Sequence, residues 1–224
     1  MIKIIQNKNR GGEIDISAYS AENTKIIRDF HAKLPDYNVT PLIKLDNYKN
    51  VRAIYVKDES KRFGLKAFKG LGGVWAIHKI IQSSKQKNSE MTFVTTTDGN
   101  HGKGIAWAAR LFGCKSIIFM PKGTVEARKR AIEEFGAKVT ITDMNYDDCV
   151  KFSAELAAKN GFYLVQDTSW RGYEEIPAQI MLGYTTLAYE TINQMNFAPP
   201  THIFLQAGVG SMAGAVAAVF ANNF

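Results

Sequence analysis

Four short stretches combine reactive side chains with backbone that a ligand can approach. Lys69 stands in A-F-K-G-L-G-G, beside Gly70, Gly72 and Gly73. A lysine amine that is desolvated or set near other cations is suited to form a Schiff base with a carbonyl compound; the alternative is a solvated surface lysine. The turn T-T-T-D-G-N-H-G, residues 95–102, gathers the carboxylate of Asp98, the amide of Asn100 and the imidazole of His101. Asp98 there is a helix cap or a titrating group, and Asn100 a turn former or a donor to a ligand oxygen. Asp167, in Q-D-T-S-W, follows an apolar run. It reads as a loop residue or as a carboxylate at the carboxyl edge of a sheet, where ligands bind in open α/β folds. A-G-V-G-S-M-A-G, residues 207–214, leads into an Ala/Val-rich helix. Its glycines would let an anion such as phosphate reach the helix N–H groups. Taken alone, that spacing also fits a tight βα turn or a dinucleotide loop, and the absence of G-K-[ST] excludes a P-loop.

The elements that must position these groups follow from periodicity. Glu22 to Lys33 reads as a helix and Ala53 to Lys57 as a strand. Ala67 to Gln82 reads as a helix with Ala67, Leu71, Val74, His78 and Ile81 on one stripe and Lys69 almost opposite. Its three glycines cost ~1 kcal/mol each relative to alanine. Close approach of a ligand or of another backbone would compensate. A regular alternation follows: strands at 91–96, 116–120, 138–141 and 162–165, with helices at 104–112, 124–135 and from 145 to 160. Thr124 is the expected cap of the second helix, Asp143 or Asn145 of the third, and Gly113, Gly136 and Gly161 are stops. This β-α-β order implies a parallel sheet. A helix from about Pro177 to Gln194 and a strand at His202–Gln206 complete the pattern.

Composition excludes several classes. At 224 residues, 46% hydrophobic and 22% charged, the chain has a globular balance. No apolar run approaches the ~20 residues of a membrane span. The opening M-I-K-I-I-Q-N-K-N-R lacks the long apolar region of a signal peptide, so a cytoplasmic location is expected. Cys114 and Cys149 are far apart and read as reduced thiols; His31, His78, His101 and His202 show no metal-ligand spacing. The net charge is +7, densest at Lys57, Lys61, Arg62, Lys66 and Lys69. That run lacks the interleaved aromatics of a nucleic-acid stacking platform and reads as a solvated face or as part of an anion site.

A lysine beside glycines, an Asn-containing strand-to-helix turn and a glycine-rich phosphate turn occur here in one order. In this the chain resembles the fold-type II pyridoxal-phosphate enzymes, the threonine dehydratase and cysteine synthase group. Ala67-Phe68-Lys69 matches the segment of the Schiff-base lysine. Thr97-Asp98-Gly99-Asn100-His101 matches S-x-G-N-H with one change, and Gly208 to Gly214 the phosphate loop. M-P-K-G (120–123) and G-A-K-V (136–139) also match. The longer stretches 57–69, 95–104, 142–148 and 206–214 resemble the diaminopropionate ammonia-lyase family.

The resemblance implies an α/β, tryptophan synthase β-like fold of two open parallel or mixed sheets with flanking helices. Residues 1–85 and 172–224 would form a large cofactor domain and 86–171 a small βα domain. Family chains continue further, so the chain reads as an N-terminal portion with the large domain incomplete. The implied cofactor is pyridoxal 5'-phosphate. Lys69 would hold it, Phe68 would lie beside its ring, Asn100 would meet its hydroxyl, and Gly208, Val209, Gly210 and Ser211 would hold its phosphate. Thr97, Asp98, Gly99 and Asn100 would surround a small amino-acid substrate, with Lys69, Asp98 and Asp167 catalytic. The implied reaction converts 2,3-diaminopropionate and water into pyruvate and two ammonia, in a homodimer. Competing readings are a serine or threonine dehydratase, an inert fragment, and a dinucleotide oxidoreductase that leaves Lys69 and D-G-N-H-G without roles.

Overall fold

The computed structural model describes residues 14–46 and 51–224. The first residues, read above for a signal peptide, lie outside that range. Two short strands, β1 (Leu42–Leu45) and β2 (Ile54–Lys57), pair antiparallel. The main sheet is four-stranded and parallel, built from β3 (Thr92–Thr96), β4 (Lys115–Met120), β5 (Lys138–Ile141) and β6 (Tyr163–Leu164) in the order β5-β4-β3-β6. Between them run α3 (Asn100–Leu111), α4 (Glu126–Glu133) and α5 (Tyr146–Asn160). Phe93, Ile118 and Met120 face the α3 side, and Val94 and Phe119 pack with Cys149 and Ala157 of α5. With both faces covered, every residue of β3 is buried, and the strand reads as a continuous run rather than an alternation.

The strand order places the site. The chain steps outward from β3 to β4 to β5, then returns to lay β6 on the other side of β3. The loops after β3 and β6 therefore open side by side at the carboxyl edge, the switch point at which open α/β sheets bind ligands. These loops carry Asp98–Asn100 and Asp167.

A helical layer sits beside the sheet: α1 (Lys25–His31), α2 (Lys69–Ser83), α6 (Glu175–Gln194) and α7 (Ser211–Asn223). α2 is its centre, packed between α3 and α6. A one-sided stripe was expected on α2, yet Trp75, Ala76, Ile77 and Ile80 are buried as well, because helices cover it on two sides. The glycines make this possible. A Cβ on Gly73 would stand 3.0 Å from Ile105 Cδ1, and one on Gly104 would stand 3.1 Å from the Lys69 carbonyl oxygen. On the other side a Cβ on Gly183 would stand 2.5 Å from the Leu71 carbonyl oxygen and 2.7 Å from Gly72 Cα. The compensation at these glycines is thus helix against helix, not ligand against helix.

Four further expectations are corrected. Val125, not Thr124, occupies the N-cap of α4; the Thr124 hydroxyl donates instead to Pro121 O at 2.9 Å. α3 begins at Asn100, four residues before the first expected helical residue, because the D-G-N-H turn itself winds into the helix. His202–Gln206 is no strand: it has no ladder partner among the described residues, and Phe204 is 92% exposed. The basic run is only in part a solvated face: Lys61 and Lys66 are exposed, but Arg62 and Lys57 are not. Arg62 is fully buried, bonded to Glu59 at 2.8 Å and to Glu190 at 2.7 Å, and Lys57 joins Glu190 at 2.7 Å. Asn145 does cap α5, accepting from Asp148 N at 2.9 Å, and Gly161 ends it in the left-handed region at φ 66°.

His31 ties α1 to the crossing of α2 and α6. One ring nitrogen lies 2.7 Å from Thr186 Oγ1 and the other 3.1 Å from the Leu71 carbonyl. Burial pushes its pKa down from 6.5 to about 3. The unfolded chain takes up this proton near 6.5 and the folded chain only near 3. This contribution to stability is therefore complete above pH 6.5 and is lost progressively as pH falls. Urea midpoints at about pH 7.5 and about pH 5 are expected to show that loss, and His31→Gln, although less stable at the higher pH, is expected to lose less on acidification. For Gly183→Ala the helix gain of ~1 kcal/mol is outweighed by an overpacking cost of about 3 kcal/mol, so a net loss near 2 kcal/mol is expected in the same assay.

Candidate active site

The loop that delivers Lys69 is strained. Phe63 (φ 49°) and Lys66 (φ 59°) both occupy the left-handed region, which side chains other than glycine rarely adopt. The buried Arg62 network anchors one end of this loop, and Lys103 Nζ bonds Leu65 O at 3.1 Å in its middle. The Phe63 ring stacks on Trp107 of α3 at 4.6 Å. Lys69 then opens α2, partly shielded, at the floor of a cleft of about 590 Å³.

Every site residue named from the sequence lines that cleft: Phe68, Lys69, Thr97, Asp98, Gly99, Asn100, Asp167, Gly208, Val209, Gly210 and Ser211. Lys69 Nζ donates to Asp167 Oδ2 at 2.5 Å. Asp167 is buried, and burial alone would raise its pKa. The positive charge facing it, with the Lys69 ammonium in direct contact, outweighs that and holds the carboxyl below its ordinary value. Ser211 Oγ donates to the Asp167 carbonyl at 2.7 Å, which fastens the start of α7 to the loop after β6.

Asp98 is not a cap. Gly99 occupies the N-cap position of α3, and no side chain bonds the helix start. The Asp98 side chain is exposed at the rim and makes no hydrogen bond or ion pair among the described residues. Its carbonyl accepts from Arg128 Nη1 at 3.0 Å, and the Thr97 hydroxyl accepts from Gly99 N at 2.9 Å. The carboxylate is thus held over the cleft by its backbone and remains available.

α7 likewise starts without a side-chain cap, at Gly210, whose φ is 92°. No atom of the described residues lies within 4 Å of a Cβ built on Gly208 or Gly210. Two uncapped helix starts, of α3 and α7, therefore face one cleft, and their N–H groups suit anions.

Reasoning from sequence missed four polar contributors: His101, Arg128, Tyr146 and Gln206 also line the cleft. His101 was visible in the D-G-N-H motif but had no assigned role. Its Nε2 lies 2.8 Å from the Val165 carbonyl and its Nδ1 3.7 Å from Asp167 Oδ2. Tyr146 follows the Asn145 cap directly. Its hydroxyl accepts from Gln166 Nε2 at 3.1 Å, and burial, then the Asp167 charge, push its pKa up to about 12. Arg128 comes from α4, in another βα unit, and no local signal in the sequence links it to Asp98.

A family model described as "Pyridoxal-phosphate dependent enzyme" matches residues 33–224. The chain belongs to this family. It is 47% identical to the diaminopropionate ammonia-lyase of Escherichia coli K12 over 96% of its own length and 58% of that protein. It is also 47% identical to the Salmonella typhimurium diaminopropionate ammonia-lyase, over 85% of its length and 53% of that protein. A crystal structure of the Escherichia coli enzyme, in complex with an aminoacrylate–pyridoxal phosphate azomethine intermediate, superposes with a TM-score of 0.90 at 46% identity. That match covers 97% of this chain and 60% of the other. The chain thus spans rather more than half the length of these relatives.

The residues present fit the family's cofactor. The chemistry of the donor set is complementary: a lysine amine for an aldehyde, an aromatic face (Phe68), and a glycine cradle with open helix N–H groups for a phosphate. A Cβ on Gly102 would collide with Thr97 Cγ2 and stand 2.9 Å from Ile118 Cγ2. Gly102→Ala is therefore expected to displace Thr97 and weaken pyridoxal phosphate binding about tenfold, roughly 1.4 kcal/mol, in an equilibrium titration.

Proposed function

We propose that this chain carries the cofactor-anchoring and substrate-facing residues of an ammonia-lyase acting on 2,3-diaminopropionate. The reaction consumes one water and yields pyruvate and two ammonia. The observation that carries the proposal is the arrangement of three groups in one cleft. A partly shielded lysine amine sits on a buried carboxylate, Asp167, while a second carboxylate, Asp98, stands at the rim with no partner among the described residues. The relatives' names and the extent of the match support the same reading. The division into a large domain (1–85 and 172–224) and a small one (86–171), a homodimeric assembly and a cytoplasmic location belong to this proposal.

When bound, pyridoxal phosphate supplies an electron sink for charge developing at the substrate Cα. The chain's own residues do the rest. The α7 start and Gly208–Ser211 hold the phosphate, and Asn100 orients the ring hydroxyl. Thr97, Gly99 and the α3 start receive the substrate carboxylate, an anion at helix N–H groups. Lys69 Nζ takes the Cα proton of the L-isomer and Asp98 Oδ that of the D-isomer. A carboxylate is a stronger base than a neutral hydroxyl, which suits Asp98 to this step. Asp167 attracts the β-ammonium, as it attracts Lys69 in the structure. This selects a diamino acid over serine or threonine, whose β-hydroxyl carries no charge.

The test is made with pyridoxal phosphate on the longest reading frame that contains this chain. A visible Schiff-base absorbance that Lys69→Ala abolishes is expected, with diaminopropionate turned over faster than serine. Asp98→Asn is expected to lower D-isomer turnover roughly 10²-fold more than L-isomer turnover. An equal fall for both isomers would sink the two-base assignment, and a preference for serine would sink the substrate assignment.

A further inference from the structure

Three buried polar atoms have no hydrogen-bond partner among the described residues: His101 Nδ1, Thr168 Oγ1 and Tyr184 OH. The first lies directly behind Asp167. The Val165 carbonyl can only accept, so the Nε2 that meets it at 2.8 Å carries the hydrogen. A neutral ring then turns a bare Nδ1 lone pair toward Asp167 Oδ2, 3.7 Å away. Two acceptors face each other with no proton between them. The Lys69 ammonium, 2.5 Å from that same oxygen, is what neutralises the carboxylate.

Other groups around the pair do not substitute for it. Tyr184 of α6 is wholly buried, with Lys69 Nζ 6.0 Å from its ring centroid, and burial keeps its phenol protonated. Burial likewise raises Tyr146 of α5 and Tyr173, whose hydroxyl donates to the Leu164 carbonyl at 3.0 Å. Asp98 and Arg128 stand at the rim of the cleft. Among the described residues, the charged groups in the inner part of the cleft are therefore Lys69 and Asp167, and the His101 ring, its pKa lowered chiefly by burial, is neutral beside them.

We propose that His101 is a proton store governed by Lys69. While the Lys69 ammonium sits on Asp167, the ring stays neutral. When that charge is withdrawn, His101 Nδ1 takes up one proton from solvent, and the new N–H donates a hydrogen bond to Asp167 Oδ2. No covalent bond other than N–H forms or breaks, and no oxidant or reductant is involved. A rotation of either side chain brings the 3.7 Å separation to bonding distance. The imidazolium and carboxylate then titrate as one coupled unit. His101 is a positioning residue in this scheme, since it reaches the reacting groups through Asp167. Its use, to hold a proton for an amine that must leave protonated, rests on the ammonia-lyase reading; its existence does not.

The test uses the chain without substrate. Ring nitrogens are labelled, and His101 is identified by loss of its signal in His101→Gln. Nitrogen chemical shifts are followed from about pH 5 to about pH 9. In the unaltered chain and in Lys69→Arg, which keeps the cation, His101 is expected to remain the neutral Nε2–H form across the upper part of that range. In Lys69→Met its midpoint is expected to rise by about one pH unit or more, a tenfold gain in proton affinity. Adding Asp167→Asn is expected to reverse the rise. Lys69→Gln serves if Lys69→Met does not fold. A midpoint that does not respond to loss of the Lys69 charge overturns the proposal, and so does a rise that survives Asp167→Asn. Failure here with diaminopropionate turnover intact would leave the lyase reading standing, and the converse result would remove only the use assigned to the stored proton.

Discussion

The closeness of α3 and α6 on either side of α2 is the constraint on which the rest depends. α2 can sit between α3 and α6 only because Gly72, Gly73, Gly104 and Gly183 present no side chain at the crossings. A helix bearing three glycines in its first turn and a half forms poorly alone, each costing ~1 kcal/mol against alanine. Burial on two sides supplies what propensity withholds, since one buried Leu or Ile contributes roughly 1.5–3 kcal/mol. Leu71, Val74, Trp75, Ile77 and Ile80 are all buried on this helix. The position of Lys69 follows from this packing, because it is the first residue of α2 and its carbonyl lies against Gly104 of α3.

The electrostatics build on that geometry at two depths. Deep in the helical layer, Arg62 meets Glu59 and Glu190 with Lys57 beside them, a cluster with nearly all its charge desolvated. Such a cluster adds little net stability compared with apolar packing, yet loss of one partner leaves a buried charge alone, at about 3–5 kcal/mol. The cluster ties the loop 59–68 down at Arg62, which meets Glu59, Glu190 and Thr40 at once, and the two left-handed residues Phe63 and Lys66 lie between that anchor and Lys69. Nearer the cleft, Lys69 and Asp167 form a pair that the return of β6 beside β3 brings together from 98 residues apart.

Much of this was legible in the sequence where local rules and tertiary structure agree. The alternation of strands and helices between 91 and 165, the Asn145 cap and the Gly161 stop follow from periodicity and turn chemistry, and the structure has them. The cleft lining was legible through motif and resemblance, and all eleven named residues meet in it. What failed was non-local. Arg62 looks like any solvated cation until Glu190, far along the chain, arrives beside it. Asp98 has the sequence signature of a cap, but the helix begins one residue later than a cap at 98 requires. His202–Gln206 has strand composition, but a strand also needs a neighbour to bond. Arg128 and Tyr146 enter the cleft from helices whose placement no local signal reveals.

The extended segment 202–206 has a consequence of its own. It presents unpaired backbone and the exposed side chains of Ile203 and Phe204, and it runs without a break into the glycine turn at 207–210. Whatever lies along it also stiffens the turn it leads into, since the two share one backbone. The ordering of 202–206 and the ordering of the turn at 207–210 are therefore one event: chain entropy lost in fixing the segment is not lost a second time at the turn.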